Sequence, residues 1–120
     1  MRLLMAYDVM ADVVTALSSK LGVPCSTTVP AKRPARFVTV ERTGGAMSLG
    51  KDEPNLAVQA WAATEADAYT LALCAVEVID SLWELLPSVC SARAGGVYRF
   101  PDPDSRAERY QIDAYLVTRR

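Results

Sequence analysis

The chain contains no histidine. That removes the commonest general base and the commonest nitrogen ligand for metals, although carboxylates or lysine could still carry chemistry. It also lacks a basic excess. Lysine and arginine number 13 against 14 acidic residues, for a net charge of −1, which argues against a domain built to hold nucleic acid non-specifically. The three cysteines, Cys25, Cys74 and Cys90, are odd in number and have no CxxC spacing, so neither a disulfide framework nor a zinc site is expected. Cys74 lies in an apolar run and reads as a buried small hydrophobe, in a chain made and folded in a reducing cytoplasm. No apolar run reaches the length of a membrane span. Asp8 and Asp12 interrupt the short apolar start Leu3-Leu4-Met5-Ala6, and no secretory signal is expected.

Phosphate loops are missing as well. Thr43-Gly44-Gly45 has neither the spacing nor the Lys-Ser/Thr of a P-loop, and no serine has a histidine to activate it. Carboxylates cluster only at Asp52-Glu53 and at Asp102 and Asp104. Either pair offers oxygen ligands, but neither has the pattern of a calcium loop, and Asp alternating with proline is a turn former. No catalytic residue, metal ligand or cofactor is assigned.

What remains is an ordinary globular balance in 120 residues, the size of one domain spanning 1–120. Val9, Val13, Ala16, Leu17 and Leu21 form one face of a helix from Tyr7 to Leu21, stopped by Gly22 and Pro24. Pro24, Pro30 and Pro34 keep the next stretch extended, with room for a short edge strand at Ser26 to Val29. Phe37 to Arg42 and Asn55 to Ala62 read as strands. The segment between them, Thr43 to Pro54, exceeds a tight turn and reads either as an arm that touches something else or as a loose hairpin tip.

A second helix is expected from an N-cap at Thr64 to Leu86. Its polar stripe is narrow (Thr70, Glu77, Asp80, Ser81, Glu84). Such a helix covers a sheet and also meets a second surface, either the first helix or a neighbouring subunit. Trp83 at its end is expected in the core. Val89 to Ala94 and Val97 to Phe100 predict a tight hairpin around Gly95-Gly96, with Tyr98 and Phe100 packing. Pro101 to Ser105 reads as a turn, and Tyr110 to Thr118 as the last strand. The fold class is therefore α+β, with a mixed, mostly antiparallel sheet of four to six strands and two helices on one face.

Strand alternation assigns Val38, Val40, Leu56, Val58, Ala60, Ile112, Ala114 and Leu116 to the covered face. The other face carries Phe37, Thr39, Glu41, Gln59, Trp61, Gln111, Asp113 and Tyr115. Polar residues with large aromatics between them suit a subunit contact. The alternative is a solvated face with Trp61 and Tyr115 partly shielded by loops. On the contact reading, a charged residue at Trp61 weakens assembly more than folding. Lys32, Arg33, Arg36 and Arg42 form a basic patch, read either as facing Asp102, Asp104 or Glu108 of an adjoining copy or as a solvated edge. The candidate contact residues are Arg33, Arg36, Arg42, Trp61, Asp102, Asp104 and Tyr115.

Three stretches carry a resemblance. Val29 to Gly45 (VPAKRPARFVTVERTGG), Leu56 to Ala62 (LAVQAWA) with the Ala-rich helix after it, and Tyr98 to Ser105 (YRFPDPDS) with Arg109-Tyr110-Gln111 resemble, in that order, small tail terminator (tail completion) proteins of actinobacterial phages and prophages. The resemblance implies a non-enzymatic virion protein without cofactors. It would form a homo-oligomeric ring, commonly of six copies, on the last ring of the tail tube. That ring ends tube growth and presents a surface to the head–tail connector, while DNA passes through its opening without specific binding. It also implies assembly in the bacterial cytoplasm, a place at the head-proximal end of the tail, and no membrane partner. A head-closure or connector ring is the nearest alternative, and a small ligand-binding α+β module a more distant one.

Overall fold

A computed structural model describes residues 8–119. Along the chain come α1 (Val9–Leu21), β1 (Cys25–Ser26), β2 (Phe37–Ser48), β3 (Lys51–Ala62), α2 (Glu65–Asp80), α3 (Leu82–Leu85), β4 (Val89–Arg99) and β5 (Glu108–Arg119). The strands form one five-stranded sheet in the order β1-β2-β3-β5-β4. Only β1 against β2 is parallel; the other three pairings are antiparallel. This is the expected α+β class with a mixed, mostly antiparallel sheet. The signal-peptide reading of the first residues, the helix start at Tyr7 and the last tail residue Arg120 lie outside the described residues.

The first helix forms for the reasons its sequence gives. The Asp8 carboxylate accepts the Ala11 N–H at 3.2 Å, supplying one of the partners that the first turn lacks. Gly22, at φ 68°, ends the helix in the left-handed region, and its N–H reaches the Ser18 carbonyl. Val9, Val13 and Leu17 recur every fourth residue and are buried.

The second helix starts as expected, with the Thr64 hydroxyl accepting the Asp67 N–H at 3.2 Å. It does not run unbroken to Leu86. Ser81 donates its hydroxyl to the Glu77 carbonyl at 2.9 Å, and its N–H turns to Val78 and Ile79. A serine bonded back to the preceding turn bends a helix, and a separate four-residue turn, α3, follows. The residues that face the sheet include Ala68, Ala72 and Ala75 beside Leu71 and Ile79. Small residues let the helix come close, and larger ones are left outside. Leu73 and Trp83 are 44% and 55% exposed, and Cys74 is exposed too. The expectations of a buried Cys74 and a core Trp83 are both corrected by this packing.

Two further expectations change. Thr43 to Pro54 is not a long loop. The β2–β3 ladder continues from Phe37↔Trp61 to Ser48↔Lys51, with one irregularity between Arg42 and Gly44 and a tight turn at Leu49-Gly50. Nor is Gly95-Gly96 a hairpin. β4 stays one strand against β5, and the register moves from Ala94↔Ala114 to Val97↔Ile112. That leaves one extra residue on β4, a bulge, which is where glycines in a strand are often found.

The core lies between the helices and one sheet face. All eight strand residues assigned to the covered face are buried there, with Val13, Leu17, Leu71, Ile79 and Leu82 from the helices. Each fully buried aliphatic side chain contributes roughly 1.5–3 kcal/mol before the entropy of ordering is counted.

Candidate functional site

The face of the sheet away from the helices is built by register. Thr39 lies opposite Gln59, Gln59 opposite Gln111, and Gln111 opposite Tyr98, so one row of side chains crosses β2, β3, β5 and β4. Alternation turns all four to the same side. They join in a directed chain of hydrogen bonds. Trp61 Nε1 donates to Thr39 Oγ1 at 3.0 Å, and Thr39 Oγ1 donates to Gln59 Oε1 at 2.9 Å. Gln59 Nε2 then donates to Gln111 Oε1 at 3.0 Å, and Gln111 Nε2 to the Tyr98 hydroxyl at 2.6 Å. The chain ends on Asp113, which the Tyr98 hydroxyl approaches at 3.4 Å. Bonds aligned in this way polarise one another. Burial first, and then the Asp113 charge, raise the Tyr98 pKa.

A second row lies beside the first. Phe37 stacks on Trp61 with ring centroids 5.2 Å apart. Two guanidinium groups cover the indole, Arg33 at 5.2 Å and Arg109 at 4.8 Å from its centroid. Arg109 also lies 4.3 Å from the Phe100 ring and donates to the Phe100 carbonyl at 2.7 Å. Arg33 donates to the Ser105 hydroxyl at 2.9 Å and pairs with Asp102 at 3.6 Å. The Ser105 hydroxyl and the Asp104 N–H both donate to the Asp102 carboxylate. Those bonds, the hydroxyl's first, hold its pKa below the ordinary 3.8.

The structure thus brings Arg33, Trp61 and Asp102 together within one chain, and Trp61 is only 2% exposed. Of the two readings of this face, shielding by a loop describes Trp61. Arg42 sits elsewhere, in a two-pronged pair with Asp52 at 2.7 and 2.8 Å that raises its pKa. Tyr115, at the margin of exposure, lies under Arg93 at 4.4 Å. Arg36 and Asp104 are exposed, each without an ion pair among the described residues. Sequence reasoning missed Arg109, and the Gln59–Gln111 link was invisible without the register. The signal available was that both glutamines alternate in phase with Trp61 and Asp113.

Chemically, the row from Trp61 to Asp113 is a platform whose polar groups bond to one another. Among the described residues, no group of three or more His, Cys, Asp or Glu side chains could hold a metal ion, and no helix is long and apolar enough to cross a membrane.

The fold has a known counterpart. A chain from the virion of the native gene transfer agent particle superposes with a TM-score of 0.68, covering 93% of this chain and 95% of that one, at 9% sequence identity. At that identity the likeness is one of fold. The sequence matches no family model and no curated protein.

Proposed function

We propose that this chain is a structural virion protein of a phage-type particle and acts by assembly, as a homo-oligomeric ring, commonly of six copies, that caps the tail tube. On this reading it ends tube growth and presents the joining surface for the head–tail connector. DNA crosses its opening without specific binding. The observation that carries the reading is the near end-to-end likeness in fold to a chain of a gene transfer agent virion. The ordered motifs that resemble tail terminators agree with it. The hydrogen-bonded row from Trp61 to Asp113 gives the outer face a fixed shape on which an assembly role can rest. Of the candidate contact residues, Arg36, Asp104 and Tyr115 are left for contacts outside the chain, while Arg33, Arg42, Trp61 and Asp102 hold its own fold.

The test is negative-stain imaging of purified tail tubes with and without the protein. Tubes of defined length bearing a terminal ring are the expected result. Rings that ignore tubes and bind the head-side connector would reassign the protein to head closure. A monomer that binds neither would overturn both.

A further inference from the structure

On the helix side of the molecule, the end of α1 and the α2–α3 junction enclose a groove of about 430 Å³. Leu21, Val78 and Leu85 supply apolar lining, and Glu77, Glu84 and Lys20 are the charged residues around it. Neither glutamate makes an ion pair among the described residues. The whole stretch from Glu65 to Leu85 contains no lysine or arginine.

The segment Val29 to Arg36 has the opposite character. It is largely exposed, carries Lys32, Arg33 and Arg36, and contains no acid. Pro30 and Pro34 restrict its backbone, which lowers the entropy lost on docking. Arg33 pins it over Trp61, on the face of the sheet away from the helices. Lys32 and Arg36 have no ion partner among the described residues.

We propose that the segment 29–36 of one copy docks in the Glu77–Glu84 groove of the next. This deepens the ring reading and rests on it. The two surfaces complement each other in charge, and they lie on opposite sides of one fold, so a chain cannot satisfy its own groove. A contact between two different patches of identical copies is heterologous, and repeating it closes a ring when the rotation per copy divides the circle. A conformationally restricted segment suits an apolar groove with charges at its rim, and those charges fix the register.

Charge reversal tests this in the full chain. Glu77→Lys with Glu84→Lys, and separately Lys32→Glu with Arg36→Glu, are each expected to weaken assembly at least about tenfold, as measured by analytical ultracentrifugation. The four changes combined are expected to restore it. Reversed variants that assemble like wild type, or a combined variant that recovers nothing, overturn the proposal and leave the ring standing. A wild-type chain that never associates, alone or on tubes, overturns the ring itself and the contact with it. Circular dichroism checks folding. Should a reversed variant misfold, Ala35→Cys in a Cys90→Ser background supplies the second measurement, because Cys74 also lines the groove. A Cys74-dependent disulfide between copies is expected, and its absence in assembled material overturns the contact.

Discussion

Trp61 illustrates at the residue scale how neighbours decide a role. Its indole is stacked by Phe37, covered by Arg33 and Arg109, and bonded to Thr39. Removing it empties that space and leaves the Thr39 hydroxyl without its donor. Trp61→Ala is therefore expected to cost about 3–5 kcal/mol of stability, read from a urea melt. With so little of the indole exposed, a charged replacement is expected to damage folding first, which reverses the order expected from the sequence. Asp102 gives a pH dependence. Its folded pKa is lowered below 3.8, so the fold favours the ionised form. The stabilisation is present above the unfolded pKa and is lost as pH falls through the folded one. Carbon-detected NMR titration should find Asp102 ionised at a pH where exposed aspartates have already taken up protons. Ser105→Ala should move its midpoint upward.

The element scale is decided largely by the β2–β3 hairpin. At Gly45 the backbone has φ 107°, and a Cβ there would collide with the Glu53 carbonyl across the ladder. At Gly44 a Cβ would meet nothing within 4 Å. Gly45→Ala is expected to cost about 1–3 kcal/mol, against about 0.5 kcal/mol or less for Gly44→Ala, compared by thermal melting. The halves Phe37 to Arg42 and Asn55 to Ala62 were legible because apolar and polar residues alternate there, although β3 itself begins earlier, at Lys51. The distal half was not, because Gly44, Gly45 and Gly50 carry no alternation. Backbone pairing and the Arg42–Asp52 ion pair hold that half in the sheet. The same limit applies to β4, where Gly95-Gly96 reads as a tight turn from the sequence and proves a bulge once β5 is seen to pair with the strand before and after it.

For the whole molecule, the question is what lies against the surfaces the chain leaves open. The sheet has one face under helices and one face closed by its own hydrogen bonds. Open apolar surface remains on the outside of the helix layer, where Tyr69, Leu73 and Trp83 lie exposed, at Tyr98 and Phe100, which were expected to pack, and at Met47 and Leu49 by the β2–β3 turn. The proposed ring covers part of that layer and gives the basic segment 29–36 its counter-charge. Imaging with tail tubes belongs to this scale. A terminal ring on each tube is the outcome expected of copies that bind one another at a tube end, and binding at the head side would keep the self-contact while changing the partner.

The sequence by itself determined the inner sheet face, the first helix with its glycine stop and the start of the second. These depend on periodicity and on residues three or four positions apart. Tertiary structure alone decided that Arg33 meets Asp102, that Gln59 meets Gln111 and that Leu73 and Trp83 face outward. Those pairings join residues far apart in sequence, and the strand register and the depth to which a helix settles on a sheet are properties of the packed whole.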